Sequence, residues 1–332
     1  MEPIILMNSK WGNDIFTPMY LFFGGLTGGL FIVAVVADLV GIKHKSFEKL
    51  SKVVAFIVPL ALVLAGLFIT FHLGKPERGM FFPLYFSNFN SWMVIGGYSV
   101  GLAFPMIIAY ALLWYYKVNQ TIRRLLGVVG IPLLGFVSLY TGLLLSGAKF
   151  VPLWSQQYLP YLFLNSGILT GLAAAGLAFL LFHTFVKTEL DDMSRILQIV
   201  GYAILALIVV EGLELYLFMN HLALNPEKLD ETGKFINPNG GALAYEYVTQ
   251  GVLAPWFWWG IVGMGLTFPL ILTFIEMIFD KIIRPYVNWV AGVKFASILA
   301  GGIILRFVIV WGGDLKAPLV FPPALFQLPL SG

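Results

Sequence analysis

The sequence predicts an all-α, polytopic membrane protein of about eight transmembrane helices, arranged as two tandem four-helix bundles. Three observations predict it. The 332 residues are 59% hydrophobic and only 11% charged, with a mean hydropathy of +0.88. So few charges would leave a water-soluble fold with a largely apolar surface. Eight apolar stretches each reach the roughly twenty residues that a helix needs to cross a bilayer. Several short motifs recur, in order, between the two halves.

The spans fall at about 17–41, 50–73, 91–116, 122–147, 158–186, 194–220, 251–279 and 288–312. They should be helices, because lipid offers no partner to an unpaired backbone N–H or C=O. The alternating pattern of a transmembrane barrel is absent. The first 16 residues are polar, with Glu2 and Asp14, and do not read as a cleavable signal peptide.

Orientation follows from Lys and Arg. Loops after the first, third, fifth and seventh spans hold eleven, including Lys43, Lys45, Lys117, Arg123, Arg124, Lys187 and Arg284, against seven on the opposite face. This bias predicts both termini outside. The longest loops, near 74–90, 148–157 and 221–250, then emerge on the outer side, where they could dock a peripheral partner. The net charge of +3 gives no reason to expect nucleic acid, and the lack of cysteine excludes a disulfide or a Cys-ligated iron–sulfur cluster in this chain.

Pro18, Tyr20-Leu21-Phe22 and Leu26-Thr27-Gly28 in the first span recur as Pro160-Tyr161-Leu162-Phe163 and Leu169-Thr170-Gly171 in the fifth. Trp92, Gly96, Gly101 and Pro105 in the third recur at the same spacing as Trp256, Gly260, Gly265 and Pro269 in the seventh. His72 and His221 follow the second and sixth spans. Matching spans run the same way, so the repeat implies parallel halves, 1–157 and 158–332, related by an axis along the membrane normal. Ordinary small-residue packing is the competing explanation for the glycines.

Ionisable groups in lipid need a partner or a task. Tyr140 and Arg306 each lie 18 residues past the inner start of their spans, roughly 27 Å along a helix. Glu211, Glu214, His72, Tyr20 and Trp154 fall toward the same outer side. A phenol, an imidazole, carboxylates and a fixed cation beside apolar walls make a mixture suited to a quinone. Tyr20 and Trp154 also suit an interfacial aromatic belt, and Glu214 with Arg306 a structural ion pair. Glu211 and Glu214, three apart, share a helix face and could relay protons. Asp38, His183, Glu276 and Lys294 lie near inner helix ends; they could supply the inner half of a proton path, but are expected instead to snorkel to water. The four histidines do not suit haem, whose ligands project from helix interiors.

Further residues carry a family likeness. Ser138, Tyr140, Thr141-Gly142 and Ser146, then Pro152, Trp154, Phe163 and Ser166-Gly167, resemble the NrfD/PsrC-like membrane subunits. So do Gly25 to Gly29, His72 to Pro76, and Gly301-Gly302 with Arg306. The resemblance implies a haem-free anchor in a prokaryotic cytoplasmic membrane that reacts with a quinone, such as menaquinone. It implies partners as well: a ferredoxin-like iron–sulfur subunit and a molybdopterin-containing catalytic subunit. Such a chain is the quinone-reactive part of an oxidoreductase and is not catalytic alone. Tyr140 matches the family's quinone-contacting tyrosine, while Tyr20 and Phe16 stand where one branch has histidine and asparagine. On this reading Tyr140, His72, Tyr20, Arg306 and Trp154 hold the quinone, and Glu211 and Glu214 exchange protons. The rival class is a secondary transporter of duplicated halves, whose sign would be helices broken at the midplane, with Pro59, Pro105, Pro132 and Pro269 as candidate kinks.

Overall fold

In the computed structural model the described residues are 14–72, 88–148, 151–182, 190–224, 228–229, 235–237, 240–279 and 286–314. Eight helices among them are long and apolar enough to cross a membrane. They run Phe16–Val40, Ser46–His72, Trp92–Tyr115, Gln120–Ser146, Leu159–Phe182, Leu190–Ala223, Trp256–Ile278 and Val287–Asp314. The protein is a multi-pass membrane protein of the all-α class. A two-stranded ribbon, Lys228–Leu229 with Phe235–Asn237, and a short helix, Gly240–Thr249, join the sixth and seventh spans. We keep "outer" for the face where the first span begins and the eighth ends.

The first and fifth spans are the most buried, and they cross where small residues let their backbones touch. A Cβ on Gly29 would strike the Gly167 backbone, and one on Gly171 would strike Gly29. This is how helices associate in lipid, where close packing takes over from water exclusion. The fourth span joins the crossing at Gly28, which faces the Leu134 carbonyl and Ser138, and the eighth joins at Gly302, which faces Thr170. Buried apolar side chains form an inner cluster around Phe31, Val54, Ile107 and Phe295 and an outer one around Leu21, Phe163, Phe218 and Val308.

The second, third and fourth spans continue as α-helix through Pro59, Pro105 and Pro132. The midplane breaks expected of a transporter are therefore absent from these spans. The seventh span differs. Trp256–Thr267 is a π-helix that returns to α-helix at Phe268, with Pro269 in the first turn. Proline has no N–H, and its ring would crowd the carbonyl four residues back; a wider turn before it relieves both.

The inner polar residues correct the snorkelling expectation. Asp38 is fully buried and grips the Arg123 guanidinium twice, from Nε to Oδ2 at 2.7 Å and from Nη2 to Oδ1 at 2.6 Å. Arg124 bridges Asp38 at 3.2 Å and Glu48 at 2.7 Å. Tyr110 donates to Asp38 at 3.3 Å, and Arg123 lies 3.5 Å over the Trp114 ring. Lys294, also buried, pairs with Glu276. Burial of Asp38, Arg123 and Lys294 leaves these side chains no route to water. His183 lies outside the described residues.

Candidate functional site

The outer half holds two polar groups, one in each half of the chain. The first is built from the opening turns of the first span. Asp14 ties down that helix start by accepting from the Phe16 N–H at 2.8 Å, the Thr17 N–H at 3.2 Å and the Thr17 hydroxyl at 2.5 Å. Its carboxylate also reaches His72 Nδ1 at 2.6 Å, across to the end of the second span. Thr17 Oγ1 lies 3.3 Å from the same ring nitrogen. One turn further, Tyr20 packs in the same buried cluster as Tyr140. The Tyr140 ring occupies the volume that a side chain at residue 96 would need, so Gly96 is its seat.

An aromatic wall flanks this group along the seam of the first two spans. Phe16 sits 6.2 Å from Phe71 and 6.4 Å from Phe68, and Phe68 stacks on Phe23 at 5.5 Å. Phe16 and Phe71 are exposed. The group thus combines phenols and an imidazole with an exposed aromatic edge.

The second group joins the fifth, sixth and eighth spans. Arg306 is buried; its Nη1 donates to Ser166 Oγ at 2.9 Å and its Nη2 to the Phe163 carbonyl at 3.3 Å. Its guanidinium lies 4.0 Å over the Phe163 ring. Glu211 lines one small cavity with Ser166, and Glu214 lies three residues further along the same helix. Among the described residues Arg306 makes no ion pair with Glu214, contrary to the pairing considered above: its guanidinium donates to Ser166 and to the Phe163 carbonyl. Glu211 Oε2, Glu214 Oε2 and Arg306 Nε are buried with no hydrogen-bond partner among the described residues. A cavity of about 10 Å³ touches Ser166, Thr170 and Glu211, near the roughly 10–15 Å³ that one water requires.

Gly25 links the groups. Its carbonyl accepts from Ser138 at 2.8 Å, two residues before Tyr140, and Arg306 Nη2 is 3.4 Å from where its Cβ would be. Trp154 stands apart, since its indole N–H donates to the Ile309 carbonyl at 2.9 Å and its ring lies on Gly313. Asp14 and Thr17 were missing from the sequence-derived set. Their only signal was a polar pair beside the start of an apolar run, which reads as a helix cap.

Fold and polar groups together define a polytopic membrane protein with titratable side chains gathered toward one end of its bundle. The chain belongs to the NrfD polysulphide reductase family, whose profile matches residues 6–317. It is 27% identical over 343 residues to the C subunit of polysulfide reductase from Wolinella succinogenes, covering 93% of this chain and 99% of that protein. It is 26% identical to protein NrfD of Escherichia coli, covering 90% of this chain and 93% of that one.

Proposed function

We propose that this chain is the membrane subunit of a respiratory oxidoreductase complex, exchanging electrons and protons between menaquinone or its quinol and a docked iron–sulfur subunit. The observation that carries the reading is the outer-end constellation of Tyr20, Tyr140 and the Asp14–His72 pair beside an exposed aromatic wall. Family membership and relatives named for polysulfide reductase and NrfD support it.

The residues fit a quinone. Tyr140 would hydrogen-bond one ring oxygen, with its position held by Gly96. His72, or Tyr20, would serve near the other, and the phenylalanines would flank an isoprenoid tail. When bound, a quinone supplies two-electron, two-proton redox chemistry. The chain's own part is to orient and to move protons. Asp14 would orient the His72 ring through Nδ1. Glu211 and Glu214, each with a carboxylate oxygen that has no hydrogen-bond partner among the described residues, would exchange protons, while Arg306 biases their charge.

Partners of this reading are a ferredoxin-like iron–sulfur subunit and a molybdopterin-containing catalytic subunit, seated at the outer face of a prokaryotic cytoplasmic membrane. The test is Tyr140→Phe in the assembled complex. Quinol-linked turnover should fall about tenfold or more, the scale of one lost hydrogen bond to a charged group. Turnover with a soluble dye that feeds the partner directly should be unchanged. Equal loss in both assays, or none, would remove Tyr140 from the quinone site.

A further inference from the structure

Beside the second polar group, the sixth and seventh spans leave a cleft of about 550 Å³ between them, within the roughly 300–1,000 Å³ of ordinary small-molecule sites. Its deep walls are Ile208 and Leu215 from the sixth span and Val262, Leu266 and Leu270 from the seventh. At the outer end the lining changes to Tyr216, Asn220 and Tyr245, with Trp258 beside them. No Asp, Glu, Lys, Arg or His lines it among the described residues. The Trp258 indole is already engaged with the Thr249 carbonyl at 2.9 Å, which anchors the short outer helix to the rim. Two local features hold the cleft open: the seventh span is a π-helix along this wall, and Gly212 presents no side chain from the other.

We propose that this cleft is a binding site for one membrane phospholipid, with its ester and headgroup region at Asn220, Tyr216 and Tyr245 and an acyl chain along Ile208, Val262 and Leu270. The chemistry of the lining selects that occupant. Amide and phenol donors at one end and aliphatic side chains at the other repeat the order of polarity in a lipid of the outer leaflet. The apolar depth would not retain water. The lining holds no carboxylate or imidazole to pass protons to a redox ring; Glu211 and Glu214 of the same helix are not part of that lining. The missing cations mean that an anionic headgroup is not required. This proposal does not rest on the quinone reading.

A Cβ at Gly212 would meet no heavy atom within 4 Å, so Gly212→Leu fills the cleft without straining the protein. Gly101 on the third span is equally free and serves as control through Gly101→Leu. The complex is purified in detergent, washed, and examined by native mass spectrometry with lipid extraction. Wild type and Gly101→Leu should each retain one phospholipid per protein, and Gly212→Leu should retain about tenfold less, an affinity change of that order. Val262→Phe, filling the cleft from the facing wall, should repeat the loss if Gly212→Leu disturbs assembly. Adding phosphatidylethanolamine back should raise the melting temperature of delipidated wild type but not of the filled variants. Equal retention in all variants, a co-purifying quinone lost with Gly212→Leu in place of phospholipid, or no retained lipid in wild type would each overturn the proposal.

Discussion

Gly96 has no side chain because the Tyr140 ring occupies the space. Gly96→Ala should therefore push the phenol out of that space, at a cost of roughly 1–3 kcal/mol in overpacking. Quinol-linked turnover should fall as in Tyr140→Phe, with a lowered melting temperature that Tyr140→Phe does not share; an unchanged melting temperature would show that the ring has room to move. Arg306 presents a different case. It bridges a hydroxyl and a carbonyl while lying over the Phe163 ring, a geometry that suits a planar fork and not an ammonium. Arg306→Lys should consequently destabilise the complex despite the kept charge, measured as a lower detergent melting temperature. Tyr140 and Arg306 were both visible in the sequence as ionisable groups deep in apolar spans. Asp14 was not, because an acidic residue just ahead of a helix is ordinary capping chemistry.

At the scale of elements, two devices hold the helices in register. One is the glycine crossing of the first and fifth spans, where Gly29 and Gly171 allow backbone contact. Gly29→Leu should force those spans apart and abolish recovery of the folded protein, whereas Gly66→Leu, at a site with open space around it, should be tolerated. The other is the buried Asp38–Arg123–Arg124 group between the first and fourth spans. Asp38→Asn would leave two arginines without their shared carboxylate, and breaking a buried pair this way costs about 3–5 kcal/mol. A thermal unfolding comparison with the double variant Asp38→Asn, Arg123→Met checks it: the second change should recover much of the loss. Span boundaries were legible to within a few residues. The π-helix was not, since the third span carries the same glycine and proline spacing and is α-helical throughout. In the third span Gly96 receives a tyrosine ring, and in the seventh Gly265 meets the Gly301 backbone.

For the whole molecule, we propose two four-helix halves, 1–157 and 158–332, with both termini at the outer face. The charge bias behind that orientation includes Arg123 and Arg124, which the fold turns inward to Asp38. Single-cysteine labelling is direct in a protein without cysteine. A membrane-impermeant maleimide should label Leu224→Cys in intact spheroplasts and Gln120→Cys only after permeabilisation. The reverse pattern would invert the topology and move the partner to the cytoplasmic side.

Apolarity and length alone dictated eight helices, because a backbone in lipid must satisfy its own hydrogen bonds and only a few structures do so. They also dictated which residues lie deep enough to need partners. Which partners they meet was settled by three-dimensional packing: His72 with Asp14, Tyr20 in one cluster with Tyr140, and Arg306 with Ser166 in place of a glutamate. Those meetings depend on how far each helix turns and how closely it approaches its neighbour. Glycine contacts between distant segments set both, and no periodicity within a single span encodes them.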